Sequence, residues 1–121
     1  MSLTLHTQSN RGYNMSYSHR IADLQLAERL EAFGAVLIEG PKWCGKTTTA
    51  EQLSKSVIKM QDTEMQEEYA ATAASKPSLL LMGETPRLID EWQDAPVLWD
   101  AVRTMVDKRQ VPGQFILTES T

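Results

Sequence analysis

The sequence has few of the features that mark secreted, membrane-spanning or nucleic-acid-coating proteins. It contains one cysteine in 121 residues and cannot form an internal disulfide, as is typical of proteins of the reducing cytoplasm. Its longest apolar stretches, 34–38 and 79–82, are far too short to cross a bilayer, and its N-terminus does not resemble a secretory signal peptide. We therefore expect a cytoplasmic protein with no membrane partner.

Positive charge is also scarce, because 12 lysine and arginine residues stand against 16 aspartate and glutamate residues, for a formal net charge of -4. That balance argues against a broad electrostatic surface for nucleic acid. The histidines, His6 and His19, have no partners at metal-ligand spacing. An apolar fraction of 41% is close to the globular average, so a chain of this length can bury a core without disulfides or metals.

The pattern of apolar residues divides the chain into alternating helices and strands. Residues 1–16 are polar and are expected to form a flexible arm, and residues 17–121 to form one domain. Helical spacing or propensity predicts helices over 20–33, 46–54, 64–75 and 96–108. Short apolar runs predict strands at 35–38, 57–60, 87–89 and 114–118. This alternation predicts an α/β fold whose mostly parallel sheet has helices on both faces.

A glycine-containing loop follows the strand at 35–38. The pattern Gly40-x-x-x-x-Gly45-Lys46-Thr47 matches the phosphate-binding P-loop in full. Its glycines let backbone N–H groups surround the phosphates, and the next helix points its positive end at the same anion. Lys46 would bridge the β- and γ-phosphates of ATP, and the Thr47 hydroxyl would coordinate Mg²⁺. The expected nucleotide-binding residues of this loop are Gly40, Pro41, Lys42, Trp43, Cys44, Gly45, Lys46, Thr47 and Thr48.

Two carboxylates follow the apolar strand at 87–89. Asp90 and Glu91 then lie at the edge of a parallel sheet where ligands bind. We expect Asp90 to hold Mg²⁺ through a water, and Glu91 to act as a catalytic residue beside Lys46 by polarising the attacking water. A glutamate in this position favours hydrolysis over transfer by a small-molecule kinase, which must keep water out. The lack of an arginine-rich lid also disfavours a kinase.

The two motifs together resemble a known family. Residues 34–47, Gly-Ala-Val-Leu-Ile-Glu-Gly-Pro-Lys-Trp-Cys-Gly-Lys-Thr, are similar to the Walker A region of prokaryotic AAA-type ATPases. Residues 84–93, Glu-Thr-Pro-Arg-Leu-Ile-Asp-Glu-Trp-Gln, resemble their Walker B segment. Members of that family carry a C-terminal domain of unknown function that is similar to restriction-type nucleases. The resemblance extends over residues 17–121, with further matches at 20–23 and 113–118.

The resemblance implies a three-layer P-loop NTPase with strand order 5-1-4-3-2, ATP as ligand and Mg²⁺ as cofactor. Thr118 or Ser120 would be the polar sensor near the γ-phosphate. Glu119 stands where the family has glycine, and its charge would repel the phosphate unless it points to solvent. By the same resemblance the chain looks like a truncated N-terminal ATPase part without strand 5, so that the strand before the P-loop would be an unpaired edge.

The resemblance also implies self-association, because AAA-type domains often act between subunits, and DNA as a partner only by analogy through the absent C-terminal domain. Two functions stay open at this point. The first is ATP binding with Mg-dependent hydrolysis. The second is a nucleotide-binding module that does not hydrolyse, or an inactive truncated remnant. Catalytic turnover distinguishes the two.

Overall fold

The computed structural model describes residues 2–4, 12–42 and 45–121. Within them, one sheet of five strands contains β1 (Ser2–Thr4), β2 (Ala35–Gly40), β3 (Ser56–Lys59), β4 (Arg87–Asp90) and β5 (Phe115–Ser120). The α-helices between them are α1 (Gly12–Ala32), α2 (Lys46–Leu53), α3 (Gln66–Ser75) and α4 (Val97–Arg109). Short 3₁₀ helices at Pro77–Leu81 and Trp92–Asp94 lie before and after β4.

The sheet is parallel throughout, with the strand order β1-β2-β5-β4-β3. From β2 onward this order is the 1-4-3-2 part of the order that the resemblance implies. Strand β5 lies between β2 and β4, so the ends of β2, β5 and β4 lie side by side at one edge of the sheet. The prediction of an α/β fold with a parallel sheet is confirmed.

Each face of the sheet carries its own apolar core, because successive side chains of a strand point to opposite faces. One core joins the sheet to α1 and α2 and consists of Ala22, Leu26, Leu30, Val36, Ile38, Ala50, Leu88 and Ile116. The other joins the sheet to α3, α4 and the first 3₁₀ helix, and includes Ile58, Ala73, Leu81, Ile89, Leu98, Val102, Phe115 and Leu117. Strands β4 and β5 are thus held between two layers of helices, which fixes their C-terminal ends.

The N-terminal region differs from the flexible arm that the sequence predicts over residues 1–16. Residues Ser2–Thr4 pair in parallel with β2, opposite Leu37, Ile38 and Glu39. The prediction that β2 is an unpaired edge is therefore wrong, because β1 occupies that side. Helix α1 begins at Gly12, well before the expected start at residue 20. Residues 1 and 5–11 lie outside the described residues, and the domain boundary at residue 17 stays a prediction.

Helix α1 spans 21 residues and closes one face of the sheet. Neither it nor another helix in the described part of the chain has both the length and the apolar character needed to cross a membrane. Its Leu26 is fully buried, whereas Leu24 in the same helix is 66% exposed.

We expect Leu26→Ala to lower the free energy of unfolding by about 2–5 kcal/mol, because the substitution leaves a cavity in the core. The matched change Leu24→Ala removes an exposed side chain and should cost about 0.5 kcal/mol or less. Urea unfolding followed by circular dichroism measures both. Equal losses at the two positions would contradict the described packing of α1.

Candidate active site

The phosphate-binding loop joins the end of β2 at Gly40 to the start of α2 at Lys46. Gly45 precedes the helix with a φ of 92°, a left-handed conformation that glycine adopts without strain. The first N–H groups of a helix have no partner within it, and α2 has no acidic residue in its first turn. This end of α2 is therefore suited to an anion. Trp43 and Cys44, which the motif includes, lie outside the described residues.

A cavity of about 370 Å³ opens at this end of α2. It is lined by residues of the loop, of α2 and of the ends of β3 and β4, namely Lys42, Gly45, Lys46, Thr47, Thr48, Gln61, Asp90 and Glu91. Its volume lies within the range of small-molecule sites. The fold thus brings the P-loop and the acidic pair to one cavity, although they are more than 40 residues apart in sequence.

The Lys46 side chain is held in place by partners on three sides. The residue is only 3% exposed, and its Nζ donates to Ser120 Oγ at 2.9 Å and to the Pro41 carbonyl oxygen at 3.4 Å. The same Nζ lies 3.7 Å from Glu91 Oε1. A buried ammonium needs such acceptors, because an unpaired charge in the interior is strongly destabilising. These contacts therefore fix the orientation of the Lys46 side chain at the cavity.

Thr47 and Asp90 meet across the cavity. The hydroxyls of Thr47 and Thr118 both donate to Asp90 Oδ1, at 2.8 and 2.7 Å. Thr118 Oγ1 also accepts from the backbone N–H of Glu91 at 2.9 Å. Thr118 is fully buried, so it connects β5 rigidly to both members of the acidic pair. Its observed role is to position Asp90 and Glu91.

The donor set at Thr47 and Asp90 fits Mg²⁺. This cation takes oxygen ligands, and it is usually bound by one or two protein groups together with waters and substrate phosphates. Among the described residues no group of three or more His, Cys, Asp or Glu side chains is arranged to hold a metal. The fit is thus to a cation that shares its ligands with a nucleotide.

Glu91 has an unusual backbone conformation, and both of its carboxylate oxygens accept hydrogen bonds. Its φ of 58° and ψ of 53° are left-handed, which costs a non-glycine residue about 1–3 kcal/mol. Oε1 accepts from Ser120 Oγ at 2.5 Å, and Oε2 accepts from Gln93 Nε2 at 2.6 Å and from the Ser120 N–H at 3.3 Å. Burial alone would raise the pKa of Glu91. The hydrogen bonds from Ser120 and Gln93 and the charge of Lys46 lower the pKa by more than burial raises it, so the pKa is below its usual value. Glu91 is therefore ionised at neutral pH.

Ser120 and Glu119 are neighbours in β5, and their side chains point to opposite faces of the sheet. Thr118 and Ser120 both contact the site, so they share one face of the sheet. Alternation places Glu119 on the opposite face, where its register partner in β2 is Glu39. Glu119 is not among the residues that line the cavity. The repulsion of phosphate that the sequence predicts for an inward-facing Glu119 therefore does not apply to this geometry.

Comparison with known families agrees with this geometry. A family model described as "AAA domain" matches residues 32–121. The chain belongs to this AAA family. The domains of this family are of the nucleotide-binding, ATPase type.

Two curated relatives of this AAA domain come from mycobacteria. The chain is 31% identical over 107 residues to "Uncharacterized protein Rv2008c" of Mycobacterium tuberculosis and equally to "Uncharacterized protein Mb2031c" of Mycobacterium bovis. The alignment covers 88% of this chain but 24% of each relative, so the chain spans about a quarter of their length. No solved structure matches the chain.

Two glutamines of this AAA domain reach the site without having been predicted. Gln61 lines the cavity from the segment that follows β3, and Gln93 donates to Glu91 from the second 3₁₀ helix. The position of Gln61 just after a strand of a parallel sheet was a signal in the sequence, because ligands bind at that edge. Gln93 had no comparable signal, since its role depends on the turn at Glu91.

Proposed function

We propose that this AAA domain binds Mg-ATP at the cavity beside α2 and hydrolyses it to ADP and phosphate. The observation that carries the proposal is the convergence of Lys46, Thr47, Asp90 and Glu91 on one cavity of about 370 Å³. A cation for the phosphates, a hydroxyl and a carboxylate for Mg²⁺, and a second carboxylate for water are the parts that phosphoryl transfer to water requires.

Binding begins with the exchange of acceptors at Lys46. In the structure Nζ bonds to two neutral oxygens, Ser120 Oγ and the Pro41 carbonyl. An anionic phosphate oxygen is a stronger acceptor and replaces them. The first N–H groups of α2, at Lys46, Thr47 and Thr48, bind the remaining phosphate oxygens. Mg²⁺ held by Thr47 and Asp90 would supply charge neutralisation between the β- and γ-phosphates.

Hydrolysis then depends on Glu91. A water donates a hydrogen bond to the carboxylate, and its oxygen forms a bond to the γ-phosphorus while the bond to the β–γ bridging oxygen breaks. The bridging oxygen keeps the electron pair and leaves as ADP, and the water proton passes to Glu91 and then to solvent. Because both Glu91 oxygens already accept hydrogen bonds in the structure, the attacking water has to compete for them with Ser120 and Gln93.

That same observation favours a second candidate, a nucleotide-binding module without turnover. If nucleotide left the Glu91 carboxylate bonded to Ser120 and Gln93, these donors would compete with the attacking water for its oxygens. The site would then bind Mg-ATP and retain it. The two candidates share every binding residue and differ in the fate of Glu91.

A single pair of measurements tests the proposal and separates the candidates. Mg-ATP is titrated into the purified chain by calorimetry, and phosphate release is followed in the same samples. We expect saturable binding of one nucleotide and catalytic release of phosphate. Binding without release would support the silent module, and a folded chain without binding would contradict both candidates.

Thr47→Val should raise the Mg²⁺ concentration that ATP binding requires. The substitution keeps the shape of the side chain but removes the hydroxyl that lies 2.8 Å from Asp90 Oδ1. We expect the Mg²⁺ concentration for half-maximal ATP binding to rise about tenfold or more, with metal-free ATP binding unchanged. Thr48→Val is the matched control, because Thr48 is exposed and contributes through its backbone. Equal effects of the two changes would contradict the role of Thr47.

Self-association and a link to DNA stay predictions that rest on the family resemblance. Neither enters the chemistry proposed for this site. The size of the chain in solution with and without Mg-ATP, measured by light scattering, tests the first directly.

A further inference from the structure

We propose that Gln93 is a positioning residue that holds the Glu91 carboxylate in place for hydrolysis. The inference rests on the proposed function, because Glu91 matters there as the group that accepts the water proton. It adds a residue to which the sequence motifs assign no role. The proposal stands on the geometry of the turn between β4 and α4.

The turn brings the Gln93 amide directly onto Glu91. Gln93 Nε2 donates to Glu91 Oε2 at 2.6 Å, a short bond of the charge-assisted kind. The turn itself is fixed by backbone bonds from Asp94 N to Glu91 O at 3.3 Å and from Ala95 N to Trp92 O at 3.0 Å. An amide NH₂ group donates and a carboxylate oxygen accepts, so this contact uses the NH₂ half of the Gln93 amide. The orientation of Gln93 is thus determined by Glu91.

The carbonyl oxygen of the Gln93 side chain, Oε1, has no hydrogen-bond partner within the described residues. This oxygen is also buried. A buried polar atom without a partner destabilises a fold. If Gln93 served packing alone, an apolar side chain of similar length would avoid that cost. The contact to Glu91 is the feature of the described residues that accounts for a glutamine here.

The two Glu91 oxygens have different partners, and this gives Gln93 a role distinct from that of Ser120. Oε1 accepts from Ser120 Oγ and lies 3.7 Å from Nζ of Lys46, the residue that binds phosphate in the proposed mechanism. Oε2 accepts from Gln93 Nε2 at 2.6 Å and, at the longer distance of 3.3 Å, from the Ser120 N–H. When a phosphate takes over Lys46 and Ser120 Oγ, Oε1 becomes available to water while Gln93 still holds Oε2.

A double-mutant cycle on hydrolysis tests this role. The variants are Gln93→Met, which keeps the length of the side chain without its donor, Glu91→Ala, and the double variant. We expect Gln93→Met to lower kcat about tenfold or more while the KM and Kd for Mg-ATP stay within about twofold. In the Glu91→Ala background the same change should have no further effect. Gln52→Met, at an exposed glutamine of α2, is the matched control and should leave kcat unchanged.

An equal fall in kcat with and without Glu91 would overturn the proposal, as would a rise in KM alone. A second cycle, on urea unfolding of the nucleotide-free chain, makes the test independent of turnover. The double variant should then lose less in unfolding midpoint than the sum of the single variants, and additive losses would also overturn the proposal. If the wild-type chain binds Mg-ATP but releases no phosphate, hydrolysis fails as the proposed function, and the unfolding cycle still decides whether Gln93 holds Glu91.

Discussion

Replacing Lys46 by alanine is expected to weaken Mg-ATP binding about a hundredfold. The Lys46 ammonium is oriented at the cavity by Ser120 and Pro41, so it is available to phosphate without further ordering of the side chain. Hydrogen bonds to charged groups contribute up to about 3 kcal/mol, and every 1.4 kcal/mol corresponds to about a tenfold change in Kd. Calorimetric titration of Mg-ATP into the wild-type chain and the variant measures the difference.

Two further variants separate the loss of charge from damage to the fold. Lys46→Met keeps the buried aliphatic stem and should bind as weakly as Lys46→Ala. Lys55→Ala removes an exposed lysine in the turn before β3 and should bind Mg-ATP normally. Urea unfolding of each variant shows that the chain is folded. Wild-type affinity in Lys46→Met would mean that the loop binds phosphate through its backbone alone.

The elements that the sequence predicts well are those with a strong local pattern. The strand at Ala35–Gly40 is an apolar run before a glycine loop, and α4 has its apolar residues at helical spacing after Pro96. The strand at Ser2–Thr4 has neither signal, since it is three residues long and pairs with β2 through its backbone. The first turns of α1, from Gly12, contain glycine, asparagine and serine, which have low helix propensity.

The chemistry of the site is predictable to the extent that a motif fixes it. Gly45, Lys46 and Thr47 are defined by the loop, and the structure places Lys46 and Thr47 beside the acidic pair at the cavity. The contacts of Glu91 are different, because they depend on strand β5 lying between β2 and β4 and on a left-handed turn at Glu91 itself. Sequence spacing contains neither. Sequence spacing also does not show the direction of the Glu119 side chain, which follows from the sheet face on which Ser120 contacts the site.

These contacts explain how two ionisable side chains, Lys46 and Glu91, can both be buried at the site. Lys46 and Glu91 are 3% and 5% exposed, and Ser120 connects them by accepting from one and donating to the other. Each charged group thus has partners that offset part of its desolvation. In the proposed mechanism the phosphate takes over Lys46 and Ser120 Oγ, so phosphate binding also removes the hydrogen bond from Ser120 Oγ to Glu91.

Glu91→Gln should greatly slow phosphate release while Mg-ATP binding is retained. The substitution preserves the shape of the side chain but removes the basic carboxylate, and general-base catalysis contributes about 10²- to 10⁴-fold. We expect phosphate release to fall by a factor in that range. Binding of Mg-ATP should persist or tighten, because Lys46 loses a competing anion 3.7 Å away and the phosphates lose a like charge.

The matched control for this prediction is Glu119→Gln, which makes the same change close by in sequence, on the sheet face opposite the two β5 side chains that contact the site. It should leave both the Kd for Mg-ATP and the rate of phosphate release within about twofold, since Glu119 is half-buried and does not line the cavity. Calorimetry and phosphate release on the two variants give four values. A large loss of rate in Glu91→Gln with intact binding, and none in Glu119→Gln, identifies Glu91 as the group that acts on water. Loss of binding together with rate in Glu91→Gln would instead assign Glu91 a structural role through its bonds to Ser120 and Gln93.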